Sequence, residues 1–162
     1  AATAYSRSFN IKKDYPQRIK YAKQALELNP SHAGSNFDYG LAICNDENFT
    51  EAESHIQKAI ELDPIRRQSY EGFFPILYLA MRNSEKALEW SNIMSDRSHH
   101  SRYDGFRAAI FVHMGDAETA KTFLKKFKDQ RPEVTSMEDY NNVAPGIAMD
   151  YLKEGLAQIW ES

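Results

Sequence analysis

Three prolines, Pro30, Pro64 and Pro132, each close a helix-like segment, and the second interval between them is twice the first. The shorter interval, about 34 residues, marks a small supersecondary unit used several times. Such a unit cannot bury its apolar face alone and must stack on copies of itself. No stretch alternates apolar and polar residues at period two for long enough to make a sheet. The spacing therefore predicts an all-α array that acts as a platform, with chemistry secondary.

With Pro64 at position 32 of a unit of that length, Gly40 falls at position 8, Ala52 at 20, Ile56 at 24 and Ala59 at 27. The same frame one unit earlier gives Ser6, Arg18, Ala22, Ala25 and Pro30. Two units later it gives Ala108, Ala120, Leu124, Phe127 and Pro132. The intervening unit is irregular, with Lys86 at 20, Trp90 at 24, Ile93 at 27 and Ser98 in place of the proline. Moving its second helix by one residue would bring Ala87 to position 20 but take Trp90 off the large apolar slot, so the unshifted frame is kept.

These slots resemble the tetratricopeptide repeat, whose pattern has small residues at 8, 20 and 27 and a large apolar residue at 24. The resemblance implies a tetratricopeptide-type α-α superhelix of about four helix pairs, residues 1–32, 33–66, 67–100 and 101–134, in a single domain. Residues 135–162 follow as a linker and capping helix.

Small residues at Gly40, Ala52, Ala59, Ala108 and Ala120 allow two antiparallel helices to approach, while Ile56, Trp90, Leu124 and Phe127 fill the space between pairs. Ala52, Ile56, Ala59 and Ile60 form an i, i+4, i+7, i+8 stripe, and Thr50 with Glu53 has capping-box spacing. Thr135 with Glu138 repeats that spacing in the tail. Beyond Pro145, Ala148, Tyr151, Leu152, Leu156, Ile159 and Trp160 share one side of a helix, with Asp150, Lys153, Glu154 and Gln158 outward. A terminal helix of this kind would cover the apolar face that the last repeat exposes.

Apolar residues make up 42% of the 162, enough for a core distributed between neighbouring pairs, and the 27% that are charged can solvate the outer faces. A net charge of −3 disfavours a nucleic-acid or anionic-membrane partner, since phosphate binding needs an excess of Lys and Arg. The one basic run, Lys121, Lys125, Lys126, Lys128 and Arg131, alternates with the buried stripe of Phe123, Leu124 and Phe127 and reads as a solvated helix face. The single cysteine, Cys44, excludes an internal disulfide and a cysteine-based zinc site. No apolar run has the length of a membrane span, and the expected location is cytoplasmic.

The tail elements Tyr140, Pro145 and Tyr151 through Gly155-Leu156 resemble the segment after tetratricopeptide repeats in some bacterial class III cyclases and winged-helix transcriptional regulators. That resemblance implies the C-terminal part of a larger bacterial signalling or regulatory protein, with its catalytic or DNA-binding domain upstream.

No phosphate-binding glycine loop, zinc-protease helix or serine elbow occurs. His99 and His100 are adjacent and read as a solvated linker, and neither His55 nor His113 has a second ligand at metal spacing. No enzymatic activity, cofactor or metal is expected. In the resembled family the first helix of each pair lines a concave groove. Its slots place Arg7, Asn10, Phe37, Leu41, Asn45, Glu71, Tyr78, Arg102 and His113 on the binding surface for a protein or peptide partner. Members that hold acidic chaperone C-termini use Lys, Asn and Arg at several of these slots. Phe37, Leu41, Glu71 and Pro75 here argue against such a ligand. Pro75 is expected to kink the first helix of the third pair, with an opened pocket beside Tyr78 and Phe37 as the sharper version. A small-molecule sensor with its ligand in the groove, or a homo-oligomerisation module, are the alternative functions.

Overall fold

A computed structural model of the chain describes residues 14–44, 47–143 and 150–161. These residues contain ten α-helices, one 3₁₀ turn and no strand. The expected all-helical class is observed. The chain divides into two compact units with a boundary between Glu71 and Gly72. The first holds α1 (Tyr15–Leu28), α2 (Ala33–Ile43), α3 (Phe49–Leu62), the 3₁₀ turn Pro64–Arg66 and α4 (Arg67–Glu71). The second holds α5 (Phe74–Ala80), α6 (Ser84–Ser98), α7 (Arg102–His113), α8 (Ala117–Gln130), α9 (Met137–Val143) and α10 (Asp150–Ala157). Within them α2 packs on α3, α5 on α6 and α7 on α8, so consecutive helices form hairpins.

The three hairpin turns share one construction. Glu47, Arg82 and Gly115 adopt left-handed backbone, with φ of 57°, 58° and 83°. The next residue in each, Asn48, Asn83 or Asp116, donates its backbone amide to a carbonyl near the end of the preceding helix, that of Ile43, Tyr78 or Phe111, at 3.3, 2.9 and 2.9 Å. This is the Schellman closure of a helix C-terminus, in which otherwise unpaired carbonyls are satisfied. Asn83 and Asp116 then act as N-caps, accepting from the amides of Lys86 at 3.1 Å and Thr119 at 3.0 Å. Only Gly115 meets the left-handed backbone without steric cost, and no atom lies within 4 Å of where its Cβ would be. Gly115→Ala should therefore act through the backbone alone and cost about 1 kcal/mol. Urea midpoints measure it, and equal midpoints would contradict this account.

The second helices stop in two ways. Asn29, Asp63 and Arg131, each preceding a proline, have left the helical region, with φ of −150°, −139° and −132° and ψ of 85°, 79° and 62°, as a following proline disfavours helical backbone in the residue before it. Where Ser98 replaces the proline, α6 ends instead on His99 in left-handed conformation, φ 49°.

Packing corrects the frame of the third pair. The buried stripe of α6 is Ala87, Ser91 and Met94, whereas Lys86 is exposed and Trp90 and Ile93 are half-buried. The shifted frame is the one that packs. The second helices of the four pairs follow the caps Asp14, Asn48, Asn83 and Asp116, and the step between caps is one longer into Asn83 than into Asn48, then correspondingly shorter into Asp116. The first helix of that pair is not kinked but interrupted at Gly72-Phe73 and restarted at Phe74. Pro75 lies in the first turn of α5, where its missing amide hydrogen has no intrahelical partner to lose.

Both expected capping boxes also move. Thr50 is inside α3, which is preceded by Asn48; the Asn48 side-chain amide donates to Glu51 Oε2 at 2.5 Å. In the tail the reciprocal pair is Ser136 and Asp139. The Asp139 amide donates to Ser136 Oγ at 3.1 Å, and the Ser136 amide donates to Asp139 Oδ2 at 2.9 Å. Hydrogen bonds from Thr135 and Ser136 hold the Asp139 carboxyl below its ordinary range.

Ser91 takes the slot filled by Ile56 in α3 and Leu124 in α8. Its fully buried hydroxyl has no hydrogen-bond partner among the described residues. A hydroxyl stripped of water without a partner costs on the order of 1 kcal/mol or more. Ser91→Ala is expected to raise stability by about 1 kcal/mol, read as a higher melting temperature; a lower one would show that the hydroxyl has a partner after all.

Candidate functional site

The predicted groove residues are distributed over both units. Arg7, Asn10 and Asn45 lie outside the described residues. In the first unit Phe37 and Leu41 stand one turn apart on α2, and both are buried. The Phe37 ring centroid is 4.8 Å from that of Tyr70 on α4. Glu71 closes α4, also buried, with Oε1 3.9 Å from Arg67 Nη1.

Cys44 ends the same face of α2, donating its thiol to the Gly40 carbonyl at 3.3 Å. Burial pushes the thiol up to about 12, against the opposing pull of the buried Arg18 guanidinium. A thiol so held presents almost no thiolate at neutral pH. Cys44 should resist iodoacetamide in the native protein and react fully in urea; rapid native labelling would overturn that expectation.

In the second unit Tyr78 is buried on α5 beside Phe74, with Lys86 Nζ 5.0 Å from its ring centroid. Arg102 opens α7 and is turned to its own neighbour, donating from Nη2 to the Tyr103 hydroxyl at 2.9 Å. His113 closes α7, roughly 16 Å along the axis from Arg102 at about 1.5 Å per residue, so these two do not share one contact region.

What meets His113 is the tail. α10 lies against α7 and α5, the first helices of two consecutive hairpins. The Tyr151 ring stacks on His113 with centroids 3.6 Å apart and planes 10° from parallel, and Arg82 stands 4.5 Å from the same ring. His113 Nε2 is 2.7 Å from the Tyr151 carbonyl, which accepts a hydrogen bond from it. One turn on, a Cβ at Gly155 would lie 3.1 Å from the Ala109 carbonyl oxygen and 2.9 Å from His113 Nε2. Leu152 and Leu156 are fully buried, while Asp150, Glu154 and Gln158 face outward. His113 is one of the first-helix positions read from the sequence as groove lining, and α10 covers it together with the neighbouring Ala109.

The chain matches no family model and no curated protein.

Lys125 pairs with Asp129 at 2.6 Å, Arg131 pairs with Glu133 at 2.5 Å, and Lys128 Nζ donates to the Trp160 carbonyl at 2.7 Å. Lys126 stands 4.9 Å from the Phe123 ring centroid. Most of the basic run is thus spent on neighbours within the unit. Among the described residues no three His, Cys, Asp or Glu side chains converge as metal ligands, and no helix is long and apolar enough to cross a membrane. Sequence reading missed Arg82, and it noted Gly155 without a packing role. Arg82 owes its position to a left-handed turn that its side chain does not announce, and Gly155 is recognised only once its distance to Ala109 is known.

Proposed function

We propose that this chain is a protein-interaction module of tetratricopeptide type, which takes a peptide or partner protein on the first helices of its pairs. In this reading it is the C-terminal part of a larger bacterial signalling or regulatory protein. The observation that carries the reading is the common turn at Glu47-Asn48, Arg82-Asn83 and Gly115-Asp116, which builds three hairpins to one design. Repetition of one hairpin is how such arrays make an extended recognition surface without a catalytic pocket. The seating of the amphipathic α10 on α5 and α7 supports the reading, since two first helices there already carry a helix from the chain's own tail.

A displayed peptide library panned against the whole chain tests the reading. Enriched peptides should perturb backbone amide resonances of α2, α5 or α7. Peptides that perturb only α3, α6 and α8, or a library with no enrichment, would refute it.

A further inference from the structure

We infer that the α5–α7 face is a docking site for an amphipathic helix carrying the spacing Tyr-Leu-x-x-Gly-Leu, and that α10 is its resident occupant, displaced by a partner segment of that pattern. The inference rests on the proposed interaction role and names the partner that the face selects.

The occupant shows what the site requires. Tyr151 fills a slot with His113 on one face of its ring and the Arg82 guanidinium over the ring at 4.5 Å, an arrangement that favours an electron-rich aromatic. The Tyr151 carbonyl accepts a hydrogen bond from His113 Nε2–H, a main-chain contact open to any sequence. Gly155 allows the helix to approach the Ala109 backbone to a distance at which a side chain would collide. Leu152 and Leu156, one turn apart on the buried side, supply the apolar payload.

The same features make α10 exchangeable. It has eight residues, with a glycine in its interior, and isolated helices of that length and composition do not persist in water. It is therefore helical because it is docked. It also lies across two first helices, on the face that the repeat frame assigns to partners.

The test uses the full chain with Gly155→Val, which blocks α10 from its seat, and a fluorescent synthetic peptide of residues 149–162 with the natural glycine. The peptide should raise its anisotropy saturably on the variant. Binding to the wild-type chain should be at least about ten-fold weaker, because the tethered tail competes at high effective concentration.

A folded Gly155→Val chain that does not bind the peptide overturns the inference. If that variant does not fold, hydrogen exchange on the wild-type chain decides. Amides of α10 exchanging at least about ten-fold faster than those of α7 and α8 support an occupant that opens on its own. Equal protection would make α10 an integral core helix and refute displacement. Library peptides that bind α2 while α10 stays protected would leave the module reading standing and remove only this inference.

Discussion

Phe127→Ala should lower the unfolding free energy by about 3–5 kcal/mol, the cost of removing a buried aromatic and leaving a cavity. Phe127 is 2% exposed and sits where three elements of the second unit meet. Its ring is edge-on to Tyr140 at 5.5 Å and to Trp160 at 6.4 Å, and Cδ2 is 3.4 Å from the position a Cβ would take on Gly105. Tyr140 and Trp160 are themselves 5.8 Å apart, so the three rings form one cluster. Edge-to-face pairs contribute about 0.5–1.5 kcal/mol beyond area burial. The cavity would not collapse easily, because Trp160 is fixed by its Nε1 donating to the Thr135 carbonyl at 3.3 Å. Chemical unfolding followed by circular dichroism reads the loss. Phe127→Leu should give up less than half of it, and an alanine variant within about 1 kcal/mol of wild type would show that the cluster is not a joint.

Gly40→Ala and Gly105→Ala are expected to have opposite signs although both glycines are buried inside helices. A Cβ on Gly40 would meet the Ala52 carbonyl oxygen at 2.9 Å, His55 Cβ at 3.2 Å and Ile56 Cγ1 at 3.3 Å. The nearest atom is backbone in the facing helix, so α2 must move off α3. That costs about 3 kcal/mol, at the upper end of what overpacking usually costs. At Gly105 the nearest atom is Phe127 Cδ2 at 3.4 Å, an ordinary contact. Alanine there gains up to about 1 kcal/mol from helix propensity. Thermal melts of the two variants give the comparison. Two shifts of the same sign would mean that helix propensity rather than interhelical spacing governs these positions.

The Gly40 contact also shows what the sequence made legible. The proline period, small residues at Gly40 and Ala52 and a large one at Ile56 placed a close helix crossing that the structure contains at those residues. The third pair was legible as irregular but not in its register. Trp90 looks like core by size, yet it is half-buried against Phe74 at 4.6 Å while the polar Ser91 is buried. One-residue slips of this kind follow from how Gly72-Phe73 interrupts the helix, and composition does not encode where a helix restarts. The capping boxes failed for a similar reason, since Ser136 with Asp139 fits the capping spacing as well as Thr135 with Glu138. Of the expected groove residues, Phe37, Leu41 and Tyr78 lie on first helices but are buried, Phe37 against Tyr70 and Tyr78 beside Phe74. Tyr151 was visible as part of an apolar stripe, and its meeting with His113 was not.

Asn83 and Asp116 each finish one helix and begin the next, since the same residue closes a carbonyl behind it and accepts an amide ahead of it. Neither helix of such a pair can fray at that junction without releasing the other. Within the α5–α6 and α7–α8 hairpins the smallest part able to melt independently is therefore the helix pair, and each hairpin should unfold as a unit of two helices.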